Sequence, residues 1–237
     1  MEERFINENL ILKKHNQTYI IEFKYMSYSL INSIIRTRLI IGASTDEYYK
    51  SLTFKAESVK TLNQYLYEKN IETGKSGLLI NEIAKMIRTL SKQLEYLIEK
   101  ESKTIIGYHP NEIMIIDDDK FIFLGSELIS KINSDENCNA IISYPFSTSD
   151  FFVSPELLKI TIIPSSFHFK SSYFSFGCLI LFSLLGDDEF YTDYLNHRDS
   201  KKIIDVLENH HIKKTRIYWL ISRCLREEPE DRTIILI

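Results

Sequence analysis

The sequence predicts an α+β fold with a β-rich start and a mainly helical remainder, and three observations carry this prediction. Residues 9–23 contain two runs of β-prone residues on either side of a polar turn. Residues 79–100 repeat apolar side chains at steps of three and four, which is the period of a helix with one buried face. Glycine and proline are scarce, at 7 and 5 of the 237 residues, and this scarcity favours helices over a loop-rich β-sandwich.

The first elements follow from short-range patterns. Residues 9–23 predict a β-hairpin that turns at residues 15–17. Residues 28–41 are apolar at mixed spacing, so a helix and a strand both remain open for this segment. Residues 51–69 predict a strand that passes into a short helix.

The strongest helix signal lies in residues 79–100. Its apolar side chains form one stripe that must be buried, made of Ile83, Ile87, Leu90, Leu94 and Leu97. The opposite face carries charged side chains and is expected to lie in solvent. Residues 105–124 then predict three short strands, separated first by the loop His-Pro-Asn-Glu and then by an acidic turn.

The last part of the chain is predicted to be mainly helical. Residues 133–149 are rich in Ser, Asn and Asp and predict a polar loop. Residues 172–185 predict a helix that is hydrophobic nearly all round, and such a helix belongs in the centre of a domain. Helices are expected from residue 187 onward, with residues 216–226 as the clearest amphipathic segment.

Composition argues against several classes of function. The net charge of −4, with both signs interspersed, gives no field that favours nucleic acid or an anionic membrane, so neither is an expected partner. Cys138, Cys178 and Cys224 lack a CxxC pairing, which fits reduced thiols better than disulfides or zinc ligands. The N-terminus is too polar for a secretory signal, and the longest apolar run is shorter than the ~20 residues that a bilayer requires. We expect a soluble cytoplasmic protein.

Four stretches carry a set of motifs in a fixed order: PNEIMIID at 110–117, FFVSPELL at 151–158, SSYFSFGCLILFSLLG at 171–186 and RCLREEPEDR at 223–232. They resemble the protein kinase family. The matching parts are the segment after the catalytic Asp, the Ala-Pro-Glu segment, the buried central helix and the acidic-Pro-x-x-Arg terminus. The resemblance covers residues 76–237, which would form a helical C-terminal lobe, and is weak in residues 1–75, which would form a reduced β-rich N-terminal lobe.

The resemblance implies that the framework of the larger lobe is kept. Glu156 and Arg232 match the two members of a buried ion pair that fixes the substrate-side loop to the base of the lobe. Removing one partner of such a pair costs about 3 to 5 kcal/mol, because the other charge is left buried. Gly177 matches the glycine of the central helix, whereas Ser172 stands where kinases carry an Asp that holds the catalytic loop.

In the same alignment, other residues occupy the positions of the groups on which phosphoryl transfer depends. The catalytic base Asp falls on Gly107, the loop Lys on His109 and the Asn that holds the second magnesium on Glu112. The metal-binding Asp of Asp-Phe-Gly falls on Gly125, which should share a crevice with Gly107. The first 75 residues contain no Gly-x-Gly-x-x-Gly and no convincing Val-Ala-x-Lys. The resemblance therefore implies a catalytic loop without catalytic groups.

We accordingly expect a pseudokinase that binds or scaffolds a protein partner, with no cofactor and no metal. One alternative is a divergent kinase or nucleotide-binding protein in which Glu112 or Glu127 replaces the usual ligands. Another is a structural component of a virion or its assembly. The 36 isoleucines, with many Lys, Asn and Tyr, are typical of an AT-rich genome such as that of a large DNA virus.

Two further motifs are weighed and set aside. Residues 73–77, TGKSG, end like a Walker A loop, but Lys69 stands where that motif needs its first glycine, so a simple loop is expected. His210 and His211 are expected on a helix, where adjacent residues do not share a face and cannot bind one metal ion together.

Overall fold

The computed structural model describes residues 2–74, 76–133, 139–146, 151–186 and 188–234. Within these ranges the chain combines helices with strands that all pair antiparallel, so the predicted α+β class is confirmed. The division at residue 75 stays a prediction, because buried side chains from both regions pack into one continuous hydrophobic cluster.

The first region is a five-stranded sheet with one helix. Its strands are β1 (Glu2–Asn7), β2 (Leu10–His15), β3 (Thr18–Phe23), β4 (Ser44–Thr45) and β5 (Ser51–Lys55), in the order β1-β2-β3-β5-β4. The predicted hairpin is β2 and β3, and its register runs from Leu10 opposite Phe23 to His15 opposite Thr18. The segment left open between helix and strand forms helix α1 (Tyr28–Arg36).

The connection to the second region is a short strand followed by two helices. These are β6 (Val59–Thr61), α2 (Leu62–Thr73) and α3 (Ile80–Glu101), which match the predicted strand-to-helix segment and the predicted long helix. Thr61 ends the strand and caps α2, because its hydroxyl accepts a hydrogen bond from the Gln64 amide at 3.3 Å. The predicted apolar stripe of α3 is buried.

Four short strands follow α3, whereas three were predicted, because the first predicted strand is divided at Ile106. They are β7 (Lys103–Ile105), β8 (Gly107–Tyr108), β9 (Ile113–Ile116) and β10 (Lys120–Phe123), with a 3-10 turn at Pro110–Glu112. Strand β9 lies between β10 and β6. The acidic turn after β9 is structural, because the Asp117 carboxylate accepts hydrogen bonds from the Glu57 and Ser58 amides at 2.7 and 2.9 Å.

Part of the predicted polar loop at residues 133–149 is a strand, β12 (Asn139–Ile142). It pairs with β11 (Ile129–Ile132), which precedes that segment, and the order of their sheet is β14-β12-β11-β7, with β14 at Ser165–His168. The loop prediction was wrong at β12, where Ala140 and Ile142 are buried in the core while Asn139 and Ile141 are only partly buried. Residues 134–138, which include Cys138, and residues 147–150 lie outside the described residues.

The remaining elements are mainly helical, as predicted. A two-residue strand, β13 (Phe152–Val153), pairs with β8 and leads into α4 (Pro155–Leu158). The helices that follow are α5 (Ser171–Leu185), α6 (Asp188–His197), α7 (Ser200–Asn209) and α8 (Arg216–Cys224). Helix α5 is buried nearly all round and packs against α3 and α8, which confirms the predicted central helix. No described helix is both long and apolar enough to span a bilayer.

Gly177 explains how closely two of these helices approach. A Cβ atom added at Gly177 of α5 would lie 2.9 Å from the Cβ atom of Cys224 on α8. Any larger residue would therefore push α5 and α8 apart. Cys178 and Cys224 are free thiols buried at this contact. Burial raises the pKa of Cys224 to about 12, so its thiol stays protonated.

Candidate functional site

A cleft of about 580 Å³ lies between the turn that joins β1 to β2 and the loop that precedes β9. The turn contributes Asn7, Glu8 and Asn9, and the loop contributes His109, Asn111 and Glu112. Glu127, from the 3-10 turn after β10, adds a second carboxyl group opposite the turn. The cleft is thus rich in carboxyl groups and side-chain amides.

Glu112 is the most unusual group of the cleft. Its side chain is almost completely buried, with the whole residue 2% exposed. Its Oε1 atom accepts a hydrogen bond from the Asn7 amide at 3.0 Å, and its Oε2 atom has no partner among the described residues. Burial, and next the charge of Glu127, raise the pKa of Glu112 to about 8. The carboxyl is therefore mostly neutral at pH 7.

Glu112 also occupies the space next to Gly125. A Cβ atom added at Gly125 would lie 2.3 Å from Glu112 Oε2 and 2.7 Å from the Phe123 ring. No residue other than glycine fits there unless Glu112 or Phe123 moves. The two positions that the kinase resemblance would align with metal ligands are thus sterically coupled, because the carboxyl of one excludes a side chain at the other.

A second link joins the same turn to Glu127. The Asn9 side-chain amide donates a hydrogen bond to Glu127 Oε2, while the Asn9 backbone amide donates to Asn7 Oδ1 at 2.8 Å. Burial and the charge of Glu8 raise the pKa of Glu127, although Lys24 opposes the shift. Asn7 and Asn9 thereby fasten the β1–β2 turn to both carboxyl groups of the opposite wall.

His109 has a structural role at the start of the 3-10 turn. Its Nδ1 atom accepts a hydrogen bond from the Asn111 amide at 3.0 Å, which caps the turn. Its ring meets the Phe151 ring edge to face, with 5.5 Å between the centroids. The His109 side chain is therefore held by packing and by the backbone of the 3-10 turn.

Gly107 and Gly125 are not among the described residues that line the cleft, and the expectation that they share a crevice stays a prediction. Gly107 pairs with Val153 in the β8–β13 ladder, and a Cβ atom there would lie 3.1 Å from the Phe152 carbonyl oxygen. Each glycine packs next to a residue of the lining, Gly107 next to Phe151 and Gly125 next to Glu112. Sequence patterns did not reveal the β8–β13 pairing, which sets the surroundings of Gly107.

No lysine of β3 and no acid of α1 reaches the cleft, because β3 contains no lysine and α1 contains neither Asp nor Glu. The nearest lysine in sequence, Lys24, follows β3 and is exposed. Its Nζ atom lies 5.4 Å from the centroid of the Tyr25 ring. Lys24 lines the cleft and is its only lysine among the described lining residues.

The predicted contact between Glu156 and Arg232 is present at the far side of the molecule. The Arg232 guanidinium is completely buried, and both of its terminal nitrogens donate to the Glu156 carboxylate, Nη2 to Oε2 at 3.1 Å. Arg232 also donates to the carbonyl oxygens of Arg226 and Glu227, at 2.8 and 2.9 Å. This pair joins the start of α4 to the segment that follows α8.

Glu156 remains ionised in this position. Burial alone would raise the pKa of its carboxyl, but hydrogen bonds from Arg232, the charge of Arg232 and a hydrogen bond from Ser171 outweigh burial and lower it. The Ser171 hydroxyl donates to Glu156 Oε1 at 2.6 Å. The neighbouring Ser172 hydroxyl donates to the Phe169 carbonyl at 3.0 Å, and no hydrogen bond joins its side chain to the described loop before β9.

The two motifs set aside earlier do not form sites. His210 and His211 lie just after α7, not on a helix as predicted, and their rings are tilted by 36° to each other with 4.1 Å between centroids. Within the described ranges, no group of three or more His, Cys, Asp or Glu residues could hold a metal ion. Gly74 caps α2 in the left-handed conformation, and Lys75 lies outside the described residues.

Sequence patterns did not indicate Asn7 or Asn9 as site residues, because no element was predicted for residues 2–7 and Asn9 stood only at the start of the predicted hairpin. Comparison with known proteins does not supply the missing information. No model of a known protein family matches this chain, and no curated protein matches it in sequence.

Proposed function

We propose that this chain is a kinase-like protein without phosphoryl-transfer activity, a pseudokinase, and that it acts by binding a protein partner. The observation that carries the proposal is the Glu112 carboxyl. It is buried, mostly neutral at pH 7, and fills the space into which a metal-binding side chain at position 125 would project. Asn7 ties it to the turn that, in a kinase, would cover the nucleotide phosphates.

The order of elements supports the kinase-like part of the proposal. A five-stranded antiparallel sheet with a helix after its third strand precedes the long helix α3, the loop before β9 and the paired strands β9 and β10. The buried helix α5 and the ion pair between Glu156 and Arg232 follow in the expected sequence. The loop before β9, helix α5 and the ion pair also have counterparts in the sequence motifs, whereas the five-stranded sheet and α3 have none.

The chemistry of the cleft supports the loss of activity. Phosphoryl transfer depends on a base, on carboxylate and amide ligands for Mg²⁺, and on a lysine of the third strand. Gly107 offers no base, and a neutral Glu112 is a poor ligand for a cation that prefers charged oxygen atoms. The carboxyl groups of Glu8 and Glu127 would oppose the negative charge of nucleotide phosphates.

Binding of a protein partner is supported by an exposed aromatic surface on the first region. Tyr25, Met26, Tyr28 and Tyr48 are all largely exposed. The two segments that carry them are joined by a hydrogen bond from the Ser27 amide to the Tyr49 carbonyl at 2.8 Å. Exposed aromatic residues and methionine are enriched at protein interfaces relative to the rest of a protein surface.

Thermal unfolding of the full chain, with and without MgATP, tests the proposal. We expect no stabilisation by MgATP. A divergent kinase or nucleotide-binding protein, the alternative favoured by the carboxyl-lined cleft, would instead gain about 2.7 kcal/mol at a ligand concentration 100 times its Kd. The Glu112→Gln and Glu127→Gln variants serve as controls. If these carboxyl groups hold a nucleotide, both substitutions should reduce the stabilisation by MgATP.

Transfer of labelled phosphate from ATP is the second measurement. Activity that survives purification and disappears in Glu127→Gln would overturn the proposal in favour of a divergent kinase. Activity that is equal in the wild type and in both variants would point to a contaminating kinase, and the thermal measurement then decides.

A further inference from the structure

A second groove, of about 480 Å³, lies on the opposite side of the second region between α3 and α8. Ala84 and Ile87 from α3, with Ile217 and Leu220 from α8, form its apolar lining. Both helices pack against the central helix α5, which leaves this groove between them. Its volume and apolar lining fall in the range of sites that hold a ligand or an inserted side chain.

The rim of the groove is positively charged. Arg88 of α3 and Arg216 of α8 both line it, and both are exposed. Within the described ranges, no carboxylate lies within 4.0 Å of either guanidinium group. Lys85, the third basic residue of the rim, is already paired with Asp119 at 3.0 Å.

Two guanidinium groups without a described carboxylate partner thus stand beside one apolar groove. A guanidinium group presents a planar fork of donors that matches a carboxylate. We infer that the groove between α3 and α8 binds an acidic segment of a partner protein, which inserts an apolar side chain between Ile217 and Ile87 while its carboxylates meet Arg88 and Arg216.

The lining favours a protein segment over other anionic partners. Nucleic acid binding depends on many phosphate contacts along a basic surface, whereas this groove offers two free arginines above an apolar lining. A membrane surface would need an exposed convex apolar face, whereas Ile87 and Leu220 are buried at the bottom of the groove. The inference does not depend on the kinase resemblance, because it uses only the groove itself.

A displayed library of random twelve-residue peptides, selected on the full-length chain, provides the probe. Peptides that also bind the Arg88→Glu/Arg216→Glu variant are removed. We expect the remaining peptides to combine acidic residues with an aliphatic or aromatic residue. In fluorescence anisotropy, their affinity should fall at least tenfold for Arg88→Glu/Arg216→Glu and at least fivefold for Ile217→Asn.

The matched control is Lys55→Glu/Lys201→Glu, which changes the net charge by the same amount on two exposed lysines outside α3 and α8. Its affinity for the selected peptides should change less than twofold. Circular dichroism should show the wild-type melting curve for both charge-reversal variants, since all four residues are exposed.

Several results would overturn the inference. One is a selection that yields no binding peptide, or peptides that are not enriched in acidic residues. Another is a loss of peptide affinity in Lys55→Glu/Lys201→Glu that equals the loss in Arg88→Glu/Arg216→Glu. The same holds if sedimentation shows a wild-type dimer that Arg88→Glu/Arg216→Glu abolishes, because the occupant would then be a second copy of the chain. Arginine-dependent binding to phosphatidylserine vesicles would assign the groove to a membrane instead.

Discussion

Replacing Glu156 by Gln should destabilise the chain more than any other single change of a carboxylate to an amide. The substitution keeps the size of the side chain but removes the charge that faces Arg232. The guanidinium group is completely buried and cannot lose its proton, whereas Glu156 itself is 25% exposed. The variant therefore leaves a permanent charge in the interior without its counter-charge.

The magnitude follows from what remains around Arg232. Removing one partner of a buried pair costs about 3 to 5 kcal/mol. The carbonyl oxygens of Arg226 and Glu227 still accept hydrogen bonds, and the Phe174 ring lies 5.1 Å from the guanidinium carbon. These contacts offset part of the loss, so we expect a value at the lower end, about 3 kcal/mol. For a chain of this size that corresponds to a decrease in Tm of about 6 to 12 °C.

Chemical and thermal denaturation, followed by circular dichroism, measures this change. Glu95→Gln on the exposed face of α3 is the matched control, and it should stay within about 0.5 kcal/mol of the wild type. Because the folded state lowers the pKa of Glu156, its contribution is fully present above the pKa of the unfolded carboxyl and is lost as the pH falls through the folded value. The difference in the free energy of unfolding between the wild type and Glu156→Gln should therefore become smaller below about pH 4. A loss under about 1 kcal/mol at pH 7, the range of exposed pairs, would refute the reasoning.

Three other predictions concern the cleft and the loop before α3. Gly125→Ala should cost about 1 to 3 kcal/mol, since the new Cβ atom meets Glu112 Oε2, and Glu112→Ala in the same chain should recover part of that loss in denaturant titrations. Glu112→Gln should gain stability relative to the wild type as the pH rises from 5 to 9. The folded state raises the pKa of Glu112 to about 8, so the wild type loses stability over that pH range and the variant does not. Melting temperatures of the two proteins that change equally with pH would contradict this assignment. Gly77→Ala should cost at least about 2 kcal/mol of stability, because the φ of Gly77 is +82° and the new Cβ atom would lie 2.1 Å from the Leu184 carbonyl oxygen. Gly42→Ala is the control: the φ of Gly42 is +72° but the space around it is free, so this variant should lose only about 1 kcal/mol. Equal melting temperatures for the two variants would contradict the steric contribution.

The parts of the fold that the sequence predicted are those encoded by local periodicity. Helices α3 and α5 and the β2–β3 hairpin each show their pattern within a single window of residues. Strand β1 does not, because it lies at the edge of the sheet and its residues Glu2, Glu3 and Arg4 carry charges toward solvent. Charged edge strands are common in soluble proteins, and they lack the apolar alternation on which strand prediction depends.

The site was predictable in position but not in geometry. Aligned motifs located Glu112 and Gly125, because loop spacing is readable from sequence alone. The link between Asn7 and Glu112 joins residues 105 positions apart, and the link between Asn9 and Glu127 joins residues 118 positions apart. No short-range pattern reports such pairs. The same limit applies to Gly107, whose surroundings are set by the distant strand β13.

Under the proposed kinase-like function, Glu112 and Gly125 limit how phosphoryl-transfer activity could be introduced. An acidic residue placed at position 125 alone would be forced against the Glu112 carboxyl, and Asn placed at position 112 alone would shorten the side chain that now reaches Asn7. Either single step would weaken the closed arrangement of the β1–β2 turn before any metal site exists. A third change, at Gly107, would still be needed for a base, where a side chain would press on the β8–β13 ladder. The cleft is therefore stabilised as a closed contact between the two walls, and its residues act together as a structural unit.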